Sequence, residues 1–351
     1  MEFPSAGLRR RALLSTLVLV SALPGMVRSS AAVAQTAISG DPLSSWNEGP
    51  AKAAILKFVQ ATTDRTSPDY VPPEARIATF DQDGTLWVEQ PAYAQVMYCL
   101  DRVPDVVKAK PELATVEPFR TVLSGDREAI GKLTMPDLEK IAVATLTGMS
   151  TDEFTIQVKQ WLGTAKHPRW HRPYTELTFF PMQEVLQYLR ANGFHTYIVT
   201  GGGQDFVRVY AEAVYGIPPE QVVGTVGGTS FGHDSAGKPI LTKEPKLLLN
   251  DDHAGKPEGI HMMIGRRPVA AFGNSIGDQD MLEFTKAGPG LRLAMLVMHD
   301  DAAREYAYGP ALGMPDSKIG TFTQDLYNLA GKSGWLVISM KHDWKRIFSF
   351  E

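Results

Sequence analysis

The sequence predicts an α/β fold with a mostly parallel sheet covered by helices on both faces, and with a helical insertion. Two observations support this fold class. From residue 178 onward, short buried strands alternate with amphipathic helices, which is the pattern of a parallel sheet. Between the first strand, at 77–80, and that region, residues 90–174 have helical spacing without strand-like alternation.

Composition indicates an ordinary globular protein. Of the 351 residues, 44% are apolar and 21% charged, and the net charge of −4 gives no reason to expect nucleic acid as a partner. The single cysteine, Cys99, excludes an intramolecular disulfide framework and a thiolate-based zinc site. Nothing in the sequence indicates an oligomeric state.

Residues 1–34 predict an export signal. Basic residues at 9–11 precede a short apolar stretch at 12–27 and the small residues at 32–34, which is the order of a bacterial export signal. Spanning a bilayer takes about 20 apolar residues, and Arg10-Arg11 with the following residues resembles a twin-arginine signal. We expect a periplasmic or secreted protein without a stable membrane anchor after cleavage; an uncleaved anchor is the alternative.

The remaining elements follow from periodicity and capping patterns. Helices are expected at 50–63, 92–103, from 134, and at 154–162, 181–192, 204–215, 257–264 and 278–285. Further strands are expected at 195–200, 222–226, 269–272 and 291–298, with a hairpin arm at 238–242. Beyond the last clear strand, His299-Asp300-Asp301 is expected to be a solvated loop, with a position at the rim of the site as the alternative. Trp335, Trp344 and Phe348 are expected to dock the tail onto the core.

Two carboxylates follow the first strand. Asp81 and Asp83 lie one residue apart, before Gly84-Thr85, and residues i and i+2 of an extended chain share a face. Carboxylates that close repel each other unless a cation or a shared proton relieves them, and Mg²⁺ is the hard, oxygen-seeking cation that fits. An ordinary Asp-Gly turn would have the same letters, so this loop alone leaves both interpretations open.

Three further loops carry chemistry. Thr200-Gly201-Gly202-Gly203 ends a strand and opens a helix, which suits an anion but also suits a sterically tight turn. Lys256 lies near a helix start, where a lone lysine is usually solvated. Asn274, Asp278 and Asp280 follow another strand and offer hard oxygens, although acids at a helix start are also stabilised by the helix dipole.

In this order, the four stretches resemble the motifs of the haloacid dehalogenase (HAD) superfamily, and the insertion resembles the helical cap of its phosphoserine-phosphatase-like members. The resemblance implies a three-layer, Rossmann-like core at 75–89 and 175–351, a helical cap at 90–174, and an N-terminal extension with a helix at 35–74. It covers about residues 75–300.

The resemblance also implies roles for these residues. Asp81 would be the nucleophile that forms an aspartyl phosphate, and Asp83 the general acid and then base. Thr200, Gly201 and Gly202 would hold the phosphoryl oxygens, with Lys256 as the counter-charge. Mg²⁺ would bind Asp81 and the Asp83 backbone carbonyl, with Asn274 and Asp278 as further candidate ligands.

One position departs from the family pattern. Many members carry an aspartate where this chain has Asn274, whose amide oxygen can ligate Mg²⁺ but brings no negative charge. Asp278 is then the expected anionic ligand, directly or through water, and the division between the two stays open.

The sequence therefore predicts an exported, Mg²⁺-dependent phosphomonoesterase acting on small phosphate esters. Asp83 favours phosphoester over halide hydrolysis, because an alkoxide needs a proton to leave and a halide does not. The alternatives are a phosphotransferase using the same intermediate, and a binding protein for phosphorylated ligands without turnover.

Overall fold

The computed structural model describes residues 40–351, so the predicted export signal lies outside the described residues. A seven-stranded sheet has the order β4-β3-β2-β1-β5-β6-β7. All neighbouring strands are parallel except β3 and β4. The strands are β1 Ile77–Phe80, β2 His195–Gly203, β3 Val222–His233, β4 Pro239–Leu249, β5 Ala270–Gly273, β6 Leu293–Met298 and β7 Leu336–Ser339. The predicted α/β fold with a mostly parallel sheet is confirmed.

Helices account for the predicted insertion. The insertion contains α2 Ala94–Ala109, α3 Phe119–Ser124, α4 Arg127–Ile130, α5 Met135–Leu146 and α6 Thr151–Thr164. Helix α1 Pro50–Thr63 precedes β1, and α7 Phe180–Ala191 lies between the insertion and β2. The remaining helices are α8 Gln204–Arg208, α9 Ala211–Tyr215, α10 Gly255–Gly259, α11 Gln279–Lys286, α12 Gln324–Ser333 and α13 Met340–Asp343. The capping patterns at Thr134 and Ser150 both form capping boxes, which fix where α5 and α6 begin.

The central strand positions the site. All four residues of β1 are buried, and the strand pairs in parallel with β2 on one side and β5 on the other. Phe80 and Phe272 stack across β1 and β5 with ring centroids 4.5 Å apart. The carboxyl ends of three adjacent strands, and the loops after them, therefore meet at one edge of the sheet.

One element prediction was wrong, and one strand was missed. The helix expected at 204–215 is divided into α8 and α9, because Tyr210 leaves the helical conformation (φ −124°) and stacks on Trp87 at 4.8 Å. Strand β7 was not predicted; it is four residues long and pairs with β6, whereas the last strand was expected to end at 298.

The C-terminal tail docks as predicted. Trp335, Trp344 and Phe348 are all buried. Trp344 packs edge-on against Trp46, with ring centroids 5.9 Å apart. In the part of the chain that the structure describes, no helix combines the length and the apolar character needed to cross a membrane.

Candidate active site

The candidate active site lies where β1, β2 and β5 end. Asp81 follows β1 directly, Thr200 lies near the end of β2, and Asn274 follows β5. Lys256 reaches the same place from α10 and is 1% exposed. The sheet topology therefore brings together residues from all four predicted motifs.

Lys256 lies between two carboxylates. Its Nζ donates to Asp81 Oδ1 at 2.5 Å, to Asp278 Oδ1 at 2.6 Å and to the Val199 carbonyl at 3.0 Å. Burial, and then the Asp278 charge, raise the pKa of Asp81 well above its usual range, while Lys256 opposes that shift. Burial alone would lower the pKa of Lys256, but the two carboxylates raise it, so the lysine is a cation that holds one oxygen of Asp81.

Asp83 is placed by an indole. Trp87 Nε1 donates to Asp83 Oδ1 at 2.7 Å, and burial raises the pKa of Asp83 to about 6. The other oxygen, Oδ2, faces the glycine loop: a Cβ at Gly202 would lie 3.7 Å from it and 3.3 Å from Thr200 Oγ1. Asp83 can thus hold a proton near neutral pH beside the predicted phosphate-binding loop.

Two amides of the glycine loop have side-chain partners within the protein. Gly202 N donates to Thr200 Oγ1 at 3.0 Å, and Gly203 N donates to Gln95 Oε1 at 2.7 Å. An anion that accepts a hydrogen bond from the Gly202 amide must therefore replace Thr200 Oγ1 as the acceptor of that bond. Gln95 lies in the first turn of α2, so the insertion reaches the loop through a residue that the sequence analysis missed.

Asn274 and Asp278, the two candidates for the further metal ligand, lie on different sides of Asp81. Asp278 Oδ1 binds Lys256, and its Oδ2 accepts from the backbone amides of Asn274 and Ser275 at 2.9 and 3.0 Å. Asn274 Oδ1 lies 3.3 Å from Thr85 Oγ1, which is also 3.5 Å from Asp81 Oδ2. Both oxygens of Asp278 are thus hydrogen-bonded, whereas the Asn274 oxygen and the second oxygen of Asp81 share the Thr85 hydroxyl as a neighbour.

The donor types fit a hard cation. Within residues 40–351, no group of three or more His, Cys, Asp and Glu side chains is arranged to hold a metal ion. The predicted set instead combines the Asp81 and Asp278 carboxylates with the Asn274 amide oxygen and the Asp83 backbone carbonyl. Carboxylate, amide and carbonyl oxygens are ligands that Mg²⁺ accepts.

A family model decides the assignment of the chain. The model for haloacid dehalogenase-like hydrolases matches residues 78–283, which is more than half of the chain. The chain belongs to this family. A search of curated proteins found no significant match.

Several solved structures are similar to this HAD family member. A conserved protein of unknown function from Anaerococcus prevotii DSM 20548 has 16% identity and a TM-score of 0.48, covering 72% of this chain and 86% of its own. A protein of unknown function from Bordetella pertussis Tohama I has 16% identity and a TM-score of 0.45, covering 75% and 97%. A phosphoserine phosphohydrolase-like protein from Francisella tularensis subsp. tularensis SCHU S4 has 15% identity and a TM-score of 0.38, covering 74% and 94%.

One sequence expectation at this HAD site was wrong. His299, expected in a solvated loop, is 2% exposed, and its Nε2 donates to the Gly84 carbonyl at 2.8 Å. Its Nδ1 lies 3.0 Å from Oε2 of the fully buried Glu305, and its ring stacks on Tyr308. The loop after β6 folds back under the acidic loop, which the polar sequence His-Asp-Asp does not indicate.

Glu89 is the second residue that the sequence analysis missed. It is 2% exposed, and its Oε1 accepts from Asn274 Nδ2 at 2.7 Å and from Tyr308 Oη at 2.8 Å. Burial raises the pKa of Glu89 well above its usual range. A signal was available, because Glu89 is a charged residue directly after the apolar residues 86–88, and buried charges need partners.

Proposed function

We propose that this HAD hydrolase is an exported, Mg²⁺-dependent phosphomonoesterase that cleaves small soluble phosphate esters through an aspartyl phosphate. The observation that carries the proposal is the pairing of Asp81 with Lys256, beside a second acid that can hold a proton. Either feature alone is common in proteins. Together, at one strand end, they supply both the nucleophile and the proton that an alkoxide leaving group needs.

In the first step, an oxygen of Asp81 attacks phosphorus and the ester oxygen leaves. The bond between Lys256 Nζ and Asp81 Oδ1 orients the carboxylate and offsets the negative charge that accumulates when the phosphoryl group arrives. Thr200 and the Gly201 and Gly202 amides are proposed to hold the phosphoryl oxygens. The product of this step is a phosphoryl group on Asp81 and a free alcohol.

Asp83 would donate a proton to the ester oxygen as it leaves, which gives the alcohol. With its pKa raised to about 6, a fraction of Asp83 is protonated near neutral pH, and the carboxylate left after the donation can act as a base. After the alcohol leaves, Asp83 accepts a proton from water as the water attacks the aspartyl phosphate. Inorganic phosphate then leaves and Asp81 is regenerated.

Mg²⁺, when bound, would offset the charge of the phosphoryl oxygens and fix their position relative to Asp81. Asp81, the Asp83 carbonyl and Asn274 are the residues proposed to hold it. We assign Asp278 to Lys256 rather than to the metal, because its two oxygens already accept from Lys256 and from two backbone amides.

Export rests on residues 1–34 alone. Their basic, apolar and small-residue regions support cleavage before Gln35. A mass spectrum of the protein from a bacterial periplasm or medium should show a mature N-terminus near Gln35. An intact Met1 in the membrane fraction would contradict export with cleavage.

The activity is tested with two substrates that differ in leaving group. With Mg²⁺ and p-nitrophenyl phosphate, we expect Asp81→Asn to reduce turnover at least about 1,000-fold, because the nucleophile is lost. We expect Asp83→Asn to reduce turnover about 100-fold or more with glycerol 3-phosphate. The loss should be smaller with p-nitrophenyl phosphate, whose phenolate leaves without a proton.

Asp105→Asn is the matched control, since Asp105 is exposed on α2 and should leave both rates unchanged. Retention of most activity by Asp81→Asn would remove the nucleophile assignment. Equal losses of kcat/KM with the two substrates in Asp83→Asn would remove the general-acid assignment, because kcat/KM reports only the steps up to release of the alcohol.

A further inference from the structure

Glu89 holds the side chain of Asn274 in one orientation. Its Oε1 accepts from Asn274 Nδ2 at 2.7 Å and from Tyr308 Oη at 2.8 Å. That oxygen can accept in both protonation states of the carboxyl group, because a proton can sit on Oε2. The amide nitrogen of Asn274 therefore faces Glu89, and the amide oxygen faces Thr85 and the Asp81 side of the site.

The backbone around Glu89 leaves room for its carboxylate and for little else. Gly84 (φ 78°) and Gly320 (φ 62°) both adopt the left-handed conformation that favours glycine. A Cβ at either position would collide with the Glu89 carboxylate, and one at Gly84 would also collide with Asn274 Nδ2. Two separate loops are thus shaped around the Glu89–Asn274 contact.

An amide needs such a partner more than a carboxylate does. Asp carries two equivalent oxygens, so a half-turn about χ2 still presents oxygen to a cation. Asn carries one oxygen, and the same half-turn presents an NH₂ group, which cannot ligate a cation. A chain with Asn at position 274 gains from any contact that prevents the half-turn.

We propose that Glu89 is a positioning residue that fixes the Asn274 carboxamide with its oxygen turned toward Asp81, so that an amide serves where Mg²⁺ binds. This inference rests on the proposed function, because it concerns the metal side of that site. Glu89 does not touch the reacting atoms; it acts through Asn274. Hydrogen-bond partners of metal ligands typically change metal affinity 10- to 100-fold when they are removed.

The test compares Mg²⁺ affinity in Glu89→Ala and Glu89→Gln, measured by calorimetry on the purified protein without substrate. We expect Glu89→Ala to bind Mg²⁺ about 10-fold or more weakly. Glu89→Gln should stay within about threefold of wild type, because the Gln oxygen can accept from Asn274. Glu184→Ala is the matched control, since Glu184 is also buried but bonds Ser44 and Ser45.

A second comparison uses Asp at position 274. If Glu89 acts by fixing the amide, the residue at position 89 should no longer affect Mg²⁺ affinity when residue 274 has two equivalent oxygens. Asn274→Asp/Glu89→Ala and Asn274→Asp/Glu89→Gln should then bind Mg²⁺ within about threefold of each other. If Glu89→Ala alone does not fold, a state that thermal unfolding would reveal, a difference within this pair would still contradict the inference.

Three results would overturn the inference: wild-type affinity in Glu89→Ala, equal weakening in Glu89→Ala and Glu89→Gln, or a persistent Ala–Gln difference with Asp at 274. The proposed function fails differently. In that case the wild type binds Mg²⁺ but releases no phosphate from esters, and the affinity series still decides the role of Glu89. A wild type that binds no Mg²⁺ would overturn both.

Discussion

The Asp251 carboxylate is fully buried. Among residues 40–351, neither of its oxygens has a hydrogen bond of normal geometry, although the Thr200 amide and the Lys256 charge both favour its ionised form. Burial is the largest cause that raises the pKa of Asp251 to about 7. The folded protein therefore holds this proton more tightly than an unfolded chain, in which Asp has a pKa near 4.

This shift predicts a stability that falls as pH rises. Between about pH 4 and pH 7 the unfolded chain loses the Asp251 proton first, and above pH 7 the folded protein carries a buried charge. We expect Asp251→Asn to raise the free energy of unfolding at pH 8. The effect at pH 8 should exceed the effect of the same substitution at pH 5 by about 2 kcal/mol or more. Urea unfolding at both pH values measures the difference. Asp105→Asn should show no such dependence, and a loss of stability in Asp251→Asn that is equal at both pH values would contradict the prediction.

At the scale of elements, helix α2 connects the insertion to the glycine loop. Gln95 accepts from the Gly203 amide, and further along the helix Tyr98 packs against Trp161 of α6 and Phe206 of α8, with ring centroids 5.7 and 5.6 Å away. The aromatic contacts fix the helix, and the helix fixes Gln95. The insertion therefore shapes the loop that is proposed to bind phosphate.

Removing the Gln95 side chain should weaken phosphate binding by the glycine loop without unfolding the protein. One hydrogen bond of this kind contributes about 0.5–1.5 kcal/mol, so we expect Gln95→Ala to lower kcat/KM for p-nitrophenyl phosphate about 3- to 10-fold. Inhibition by inorganic phosphate should weaken in parallel. Gln60→Ala, on the exposed surface of α1, is the control. An unchanged kcat/KM in Gln95→Ala would show that the contact has no role in catalysis.

Elements were predictable where their signals are local. The capping boxes at Thr134 and Ser150, and the strand that ends just before Asp81, are visible within a few residues of sequence. The break between α8 and α9 depends on Tyr210 packing against Trp87, more than a hundred residues away, and no local pattern carries that information. Strand β7 is equally non-local, because its four residues are ordered by pairing with β6.

At the scale of the whole molecule, the candidate site combines two kinds of residue. The four motifs each follow a strand or open a helix, so parallel topology predicts that they converge. Glu89 meets Tyr308 across 219 residues of sequence, and His299 meets Gly84 across 215. Those contacts depend on how the segment after β6 folds back beneath the acidic loop, which periodicity does not encode.

The segment after β6 continues into the C-terminal tail. Substitution of Trp344 tests how much the stability of the whole fold depends on that tail. Trp344 is 1% exposed, packs edge-on against Trp46 and lies 5.7 Å from the Phe179 ring. Its indole nitrogen has no hydrogen-bond partner among the described residues, so its contribution comes from packing. Replacing a buried aromatic residue by alanine typically costs about 3–5 kcal/mol, and we expect Trp344→Ala to lower the free energy of unfolding in urea by that amount.

Phe231→Ala is the matched control, because that ring is 71% exposed on the β3–β4 hairpin and its removal should cost less than about 0.5 kcal/mol. Since Trp46 precedes α1 and Trp344 follows β7, their contact joins both ends of the described chain within the hydrophobic core. A loss in Trp344→Ala no larger than in Phe231→Ala would mean that the tail only lies on a core that is stable without it. A loss of the expected size would mean that the two ends of the chain are part of the folded unit that supports the site.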